Sequence, residues 1–317
     1  MDTVAPPNIA PLASPESDGV TAIEYRVRQQ YRYEYASPVH DLQQRIVMLP
    51  PELHGAQCLV RADLRVDGAD ELHTRYYSDR FGNVVYHFAS PTIREAVHFT
   101  AEFTVRRYVS AQPFRASAAQ VAPFLAPTAL TASCPRIVDA ARSIAARVAD
   151  RSLADLERQV LPLGAGWLDA DGVRQWASAV LGGAWAASAL TYESGMTGVH
   201  TPAATALQCR RGVCQDYAHV AIALLRALHI PVRYVSGHLL GEGAPHAWIE
   251  ALLPDPDVPG QFRVVPYDPT HRVTPTLDYV TIAVGRDYGD ITPTSGTFYG
   301  VLGRFTARKQ AWIVNRV

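Results

Sequence analysis

The sequence predicts an α+β protein. A small β-sandwich-like domain of short antiparallel strands comes first, followed by a domain in which a central helix packs on an antiparallel sheet. Three observations predict this. Apolar and polar residues alternate from Ile23 to about Val109, the period becomes helical after Pro113, and an apolar helix starting near Cys214 is followed by three strand-like segments joined by turns. The division that follows is a flexible leader at 1–21, a β domain at 22–110 and a second domain at 111–317.

The leader is rich in Pro, Ala and Ser and has no period. In the β domain, Tyr31, Tyr33 and Tyr35 alternate with Arg32 and Glu34. Cys58, Val60, Ala62, Leu64 and Val66 alternate with charged neighbours from Arg61 onward, and Val97, Phe99, Ala101, Phe103 and Val105 repeat the pattern. Alternation of this kind buries one face and wets the other. Turn-forming clusters at 67–70 and 79–83 separate the runs, as in a small sandwich.

Beyond Pro113, Arg136–Val148 carries a stripe of Ile137, Ala140, Ala141, Ile144 and Val148, with Pro135 at the helix start. Val173–Leu190 is apolar, Ala-rich and packed on more than one side, with Gly182-Gly183 weakening its middle. Thr201-Pro202 opens a short helix that Gly212 closes. The next helix starts at Val213 or Cys214, runs through Ala218, Ala221, Ile222, Leu224, Leu225 and Leu228, and ends at Pro231. It is apolar nearly all round, which marks a buried central helix. Cys214 lies in its first turn, where free backbone N–H groups and the positive end of the dipole favour an anionic sulfur. Taken alone, such a cysteine is more often a small core residue.

Strands follow at Val232–Leu239, His246–Leu253 and Gln261–Asp268, with a turn at Gly241–Pro245. Pairing Leu253 with Gln261 sets His246 opposite Asp268, with Cβ atoms about 4.5–5.5 Å apart. Pro266 makes the third strand an edge or a bulge at that point. A nucleophile needs a base and the base needs an orienting group, so Cys214, His246 and Asp268 form the candidate catalytic set.

These segments resemble the transglutaminase-like superfamily. Its core pattern of Gly-x-Cys, His-Ala-Trp and Asp-Pro-Thr stands here as Gly212-Val213-Cys214, His246-Ala247-Trp248 and Asp268-Pro269-Thr270. The stretch 226–233 is similar to the family's linker from core helix to strand; the run 211–219 and Val284–Tyr288 are similar to the bacterial branch, that of transglutaminase-like cysteine proteases, and 22–110 is similar to the N-terminal β domain that accompanies it. The one departure is Phe262 where some members carry Trp. The resemblance implies a papain-like, transglutaminase-like core and a thioester on Cys214, with His246 drawing the thiol proton and Asp268 holding the imidazole. The Cys214 N–H would face the oxyanion, and Gln215 and Tyr192 are candidates for a second donor. Three functions stay open: hydrolysis of amide or peptide bonds, acyl transfer from glutamine to an amine, and a non-catalytic binding module. Hydrolysis leads, because water is always present and no amine site is legible.

The remaining expectations are plainer. Net charge is -1, which gives no electrostatic case for nucleic acid or an anionic membrane as partner. A peptide or protein substrate is expected, with no cofactor and no metal. Four cysteines in 317 residues do not build a disulfide scaffold, and with no secretory pattern at the start a cytoplasmic location is expected. Cys209 has no metal-site spacing, His238 and His271 read as rim or structural residues, and His219 as a hydrogen-bonded helix histidine. Asp216 suits the first helical turn, and Tyr288 and Gly289 fall in a tail that could line the cleft. The helix-start position predicts that Cys214 alkylates faster than Cys58, Cys134 or Cys209. Mass spectrometry after limited iodoacetamide treatment reads the order, and Cys214 being slowest would contradict it.

Overall fold

The computed structural model describes residues 21–109, 115–160 and 166–316, so 1–20 of the expected leader lie outside the described residues. Seven strands come first: β1 (Ala22–Tyr35), β2 (Val39–Ile46), β3 (Leu53–His54), β4 (Gln57–Asp67), β5 (His73–Ser78), β6 (Val84–Ile93) and β7 (Ala96–Tyr108). Next come β8 (Arg115–Ser117) and the helices α1 (Ala118–Val121), α2 (Pro135–Ala149), α3 (Leu153–Val160) and α4 (Ala170–Ala189). The central segment holds β9 (Thr191–Tyr192), α5 (Ala203–Cys209), β10 (Arg211–Gly212) and α6 (Cys214–Ala227). Strands β11 (Val232–Leu239), β12 (His246–Pro254), β13 (Gln261–Tyr267), β14 (Tyr279–Gly285), β15 (Thr294–Tyr299) and β16 (Leu302–Arg316) complete the chain.

The N-terminal strands build two antiparallel sheets, ordered β16-β1-β7-β4-β3 and β15-β2-β6-β5. Their inner faces meet through aromatic rings, with Phe88 and Phe99 at 5.5 Å and Tyr35 and Phe298 at 5.2 Å. The outer strand of each sheet comes from the far end of the chain. β16 pairs along β1 and β15 along β2, so residues placed in sequence with 111–317 finish the N-terminal sandwich. Alternation holds on β7, where Val97, Phe99, Ala101, Phe103 and Val105 are all buried. It breaks on β4: a bulge between Leu59 and Arg61 turns Val60 outward, 51% exposed, because one extra residue flips every later side chain.

A further five-stranded sheet is antiparallel, ordered β14-β11-β12-β13-β8, with α6 and α4 packed against β12. The predicted stripe of α2 is buried residue for residue. Gly182 and Gly183 do more than weaken α4. A Cβ on Gly182 would stand 2.8 Å from the methyl carbons of Leu224 and Leu225 on α6, and one on Gly183 would stand 2.3 Å from the Tyr267 ring on β13. The missing side chains let α4 lie directly on the central helix and the sheet. The short helix α5 also departs from expectation. Pro202 is its cap, not its first residue, and Arg210, not Gly212, takes the left-handed conformation at its end.

Strand β14 would be a bare sheet edge, and two carboxamides cover it. Gln57 donates to Thr281 O (2.8 Å) and accepts from Thr281 N (2.9 Å), while Asn83 donates to Val284 O (2.7 Å) and accepts from Val284 N (2.8 Å). Each amide side chain copies a neighbouring strand's hydrogen-bond pair and protects the edge. A buried ion trio, Arg233–Glu250–His54, ties the same two parts together. Burial opposes charge on Glu250, but Arg233 and His54 outweigh it and hold the carboxyl near 2. Among the described residues no helix is long and apolar enough to cross a membrane. Gly183→Val should destabilise the fold by about 1–3 kcal/mol, since the new methyl groups collide with Tyr267. Urea unfolding measures this, and an unchanged midpoint would refute the packing account.

Candidate functional site

Three chain segments build the site. The first is the start of α6. Val213 precedes it in extended conformation, and the Asp216 carboxylate accepts from Val213 N at 2.8 Å and from the Thr197 hydroxyl at 2.7 Å. Burial raises the Asp216 carboxyl despite those donors. A Cβ on Gly212 would stand 2.6 Å from the Asp216 side chain, so glycine is what lets the approaching chain pass its own cap. Cys214 is the first helical residue and is half-buried. By position its N–H has no intrahelical acceptor.

The second segment is the beginning of β12 and the third is the turn after β13. His246 Nε2 lies 2.7 Å from Asp268 Oδ2, and the Cys214 side chain stands close enough to the same imidazole to raise its proton affinity. With Nε2 held by the carboxylate, Nδ1 is the nitrogen left for the sulfur. The predicted set is therefore brought together, but by a different register. β12 and β13 pair Leu253 with Arg263 and Ile249 with Tyr267, two residues away from the expected alignment. An even shift keeps both side chains on one face, and the length of the imidazole spans the diagonal. Pro266 pairs with Glu250 on β12.

Asp268 is fully buried and accepts five hydrogen bonds. Oδ2 receives His246 Nε2, His271 Nδ1 and the Tyr279 hydroxyl, each at 2.7 Å; Oδ1 receives Thr270 N at 2.8 Å and His271 N at 3.3 Å. Burial alone would raise this carboxyl, but the two histidines outweigh it and hold it far below the usual carboxylate range. For His246, burial opposes the proton, yet the hydrogen bonds to Asp268 and Cys214 push the imidazole up to about 10. The site at neutral pH thus holds an imidazolium between a carboxylate and a sulfur.

Two comparisons with family models fit this geometry. Residues 167–269 match the transglutaminase-like superfamily, and 25–106 match the bacterial transglutaminase-like N-terminal region. The chain carries the core of the transglutaminase-like superfamily over residues 167–269. Its transglutaminase-like core covers α4, α6 and the strands up to Asp268. A candidate cysteine protease from Cytophaga hutchinsonii superposes with a TM-score of 0.63 over 93% of this chain and 92% of its own, at 20% identity, a likeness of fold. Uncharacterized protein ML0607 of Mycobacterium leprae is 44% identical over 126 residues, and Rv2569c of Mycobacterium tuberculosis is 39% identical over 120. Those stretches are 37% and 34% of this chain, and about two fifths of each relative's length.

Several residues of the transglutaminase-like core stand apart from their sequence reading. His271, read as a rim or structural residue, is bonded into the Asp268 cluster, and Tyr279 and Glu242 were not legible at all. Glu242 approaches His246 Nδ1 at 3.4 Å and His271 Nε2 at 3.6 Å. The one signal for His271 was its place three residues after Asp268, where a turn folds the chain back on the carboxylate. His238 is fully buried, stacked at 6.4 Å on Phe103 of the sandwich, with neither ring nitrogen hydrogen-bonded. His219 accepts from Tyr288 N at 3.2 Å, and burial holds it down at about 4. Tyr288 itself packs edge-on against Tyr234. Gln215 donates one of its two amide N–H groups to Val199 O at 2.9 Å. Burial, and then the nearby Cys214, lifts the Tyr192 phenol to about 12.

The His246 shift has a consequence for stability. The stabilisation it brings is full below its ordinary value of 6.5 and is lost as pH rises through about 10. Asp268 works at the other end, its share being lost only as pH falls below 3.8 through its depressed folded value. Unfolding free energies should therefore fall in the wild type as pH approaches about 10. In His246→Gln that slope should be absent, and parallel profiles for the two proteins would contradict the charged imidazole.

Proposed function

We propose that the chain is a cysteine hydrolase that cleaves amide bonds of peptides or proteins through a thioester on Cys214. The observation that carries the reading is a single imidazole joined to both a helix-start thiol and a buried carboxylate, at 2.7 Å on the carboxylate side. An imidazole that favours its proton this strongly can take the one on the neighbouring thiol, which makes the sulfur nucleophilic. The sulfur attacks the amide carbonyl carbon, and His246 gives its Nδ1 proton to the leaving amine as the C–N bond breaks. A water then loses a proton to the neutral imidazole and attacks the thioester. The C–S bond opens, and the thiolate–imidazolium pair returns. Asp268 keeps the ring in one orientation through both steps.

The oxyanion of each tetrahedral intermediate would be met by the Cys214 N–H at the helix start and by the Tyr192 hydroxyl, a phenol that keeps its proton at neutral pH.

A fluorogenic peptide library screened against the wild type and Cys214→Ala in parallel tests the reading. Cys214→Ala should lose all turnover while its melting temperature stays nearly unchanged, and Tyr192→Phe should lose about 10²-fold in kcat. Turnover that survives in Cys214→Ala would remove the proposal.

A further inference from the structure

The turn that leads into His246 is held from the other end of the chain. Lys309 of β16 donates from Nζ to Ala244 O at 2.8 Å, two residues before His246. Along the strand Lys309, Ala311 and Ile313 face the half-buried side. Among the described residues that carbonyl is the ammonium's only hydrogen-bond partner, and no carboxylate stands within ion-pair distance of it. Two of its three N–H donors are left over. Burial lowers the ammonium to about 8, and Glu242 and then Cys214 counter part of that shift. A cation stripped of some of its water, with a neutral carbonyl as its one partner, is a net cost to the fold.

Lys309 lines a cavity of about 540 Å³ with Gly241, Glu242, Gly243, Ala311 and Trp312. A Cβ on Gly243 would meet nothing within 4 Å, so that wall is open. Through Glu242 the cavity adjoins the imidazole, because Glu242 stands in front of both rings. Its two oxygens lie 3.4 Å from His246 Nδ1 and 3.6 Å from His271 Nε2. The acid of the cavity is thus turned to the histidines, and its cation is left without a counter-charge. We propose that Lys309 determines specificity: its ammonium binds a carboxylate of the substrate peptide and so sets the peptide beside Cys214.

One ammonium with two remaining donors matches a singly charged carboxylate. A phosphate carries more charge and is met elsewhere by forked guanidinium groups. The carboxylate has two possible sources, an acidic side chain near the scissile amide or a free C-terminus, and both present the same atoms to Lys309. A neutral carboxamide of the same shape leaves the cation uncompensated, so the site discriminates by charge and not by size. The inference rests on the proposed hydrolysis for the nature of the substrate, but not for the presence of an anion subsite next to Cys214.

Fluorogenic peptides in matched pairs read the discrimination: Glu against Gln at each position flanking the scissile amide, and a C-terminal acid against its amide. In the wild type, kcat/KM for the acid of at least one pair should exceed that for its partner by about tenfold or more. The pair that responds identifies the source of the carboxylate. Lys309→Met should erase that ratio, and so should Lys309→Gln, which keeps a donor for Ala244 O; Lys309→Arg should retain most of it. Folding of each variant is checked by circular dichroism. A wild-type ratio near one in every pair, or an unchanged ratio in the two neutral variants, overturns the proposal and leaves Lys309 as a brace for the turn. Alkylation of Cys214 separates this from the hydrolysis itself. If no peptide is cleaved, the hydrolase reading falls and the rate with iodoacetate relative to iodoacetamide decides. That ratio should drop about threefold at low salt from wild type to Lys309→Gln, and equal ratios would refute the subsite.

Discussion

A carboxylate sealed from water has to be neutralised from within, and Asp268 meets that requirement with five donors drawn from three segments. His246 opens β12, Thr270 and His271 belong to the turn after β13, and Tyr279 opens β14. Each segment is held at the point where it would otherwise fray, and all three are held to the same two oxygens. Removing one donor would leave the charge less compensated, so the arrangement is stiff by electrostatic necessity. The same necessity fixes the far nitrogen of each histidine and so decides which nitrogen each presents to the open side of the site.

The sulfur is placed by a second, independent constraint, the packing of α6. That helix is buried on nearly every side, with α4 brought against it by the Gly182-Gly183 pair and the sheet behind it through β12. The Arg226 guanidinium near its end donates to the carbonyls of Phe124, Val232 and Arg286 and to the Thr131 hydroxyl. At its start, Asp216 closes the cap in space that only Gly212 leaves open. The helix can neither slide nor turn, and Cys214 meets His246 because two rigid bodies meet there.

How much of this was readable in the sequence follows from the range of each interaction. The stripe on α2, the alternation on β7 and the limits of β11 depend on periodicity within one element, and they appear in the structure as read. The Cys–His–Asp set was legible because each member sits on a local signal: a helix start, a strand start and an Asp-Pro turn. The pairing of β12 with β13 came out two residues off, since the loop between them sets the register and its shape is not written in a period. Only the parity mattered for the face, and the parity was right. Val60 shows the opposite case, an odd slip from a bulge that no composition signals. Glu242, His271 and Tyr279 gather around Asp268 through the tertiary fold, and the glycines of α4 read as weakness because the ring they admit lies 84 residues away on β13.

The sandwich is joined to the site from both sides. Gln57 and Asn83 replace a missing strand along β14, whose first residue, Tyr279, is one of the Asp268 donors. On the opposite flank β16, paired along β1, sends Lys309 to the Ala244 carbonyl in the turn that carries Glu242. The ammonium gains a carbonyl there while burial lowers it to about 8. A shift of the sandwich relative to the core would therefore pull on the carboxylate behind the two imidazoles through one contact and on the carboxylate in front of them through the other. The chain returns to its first strand after completing the core, and that return closes the loop between the two carboxylates.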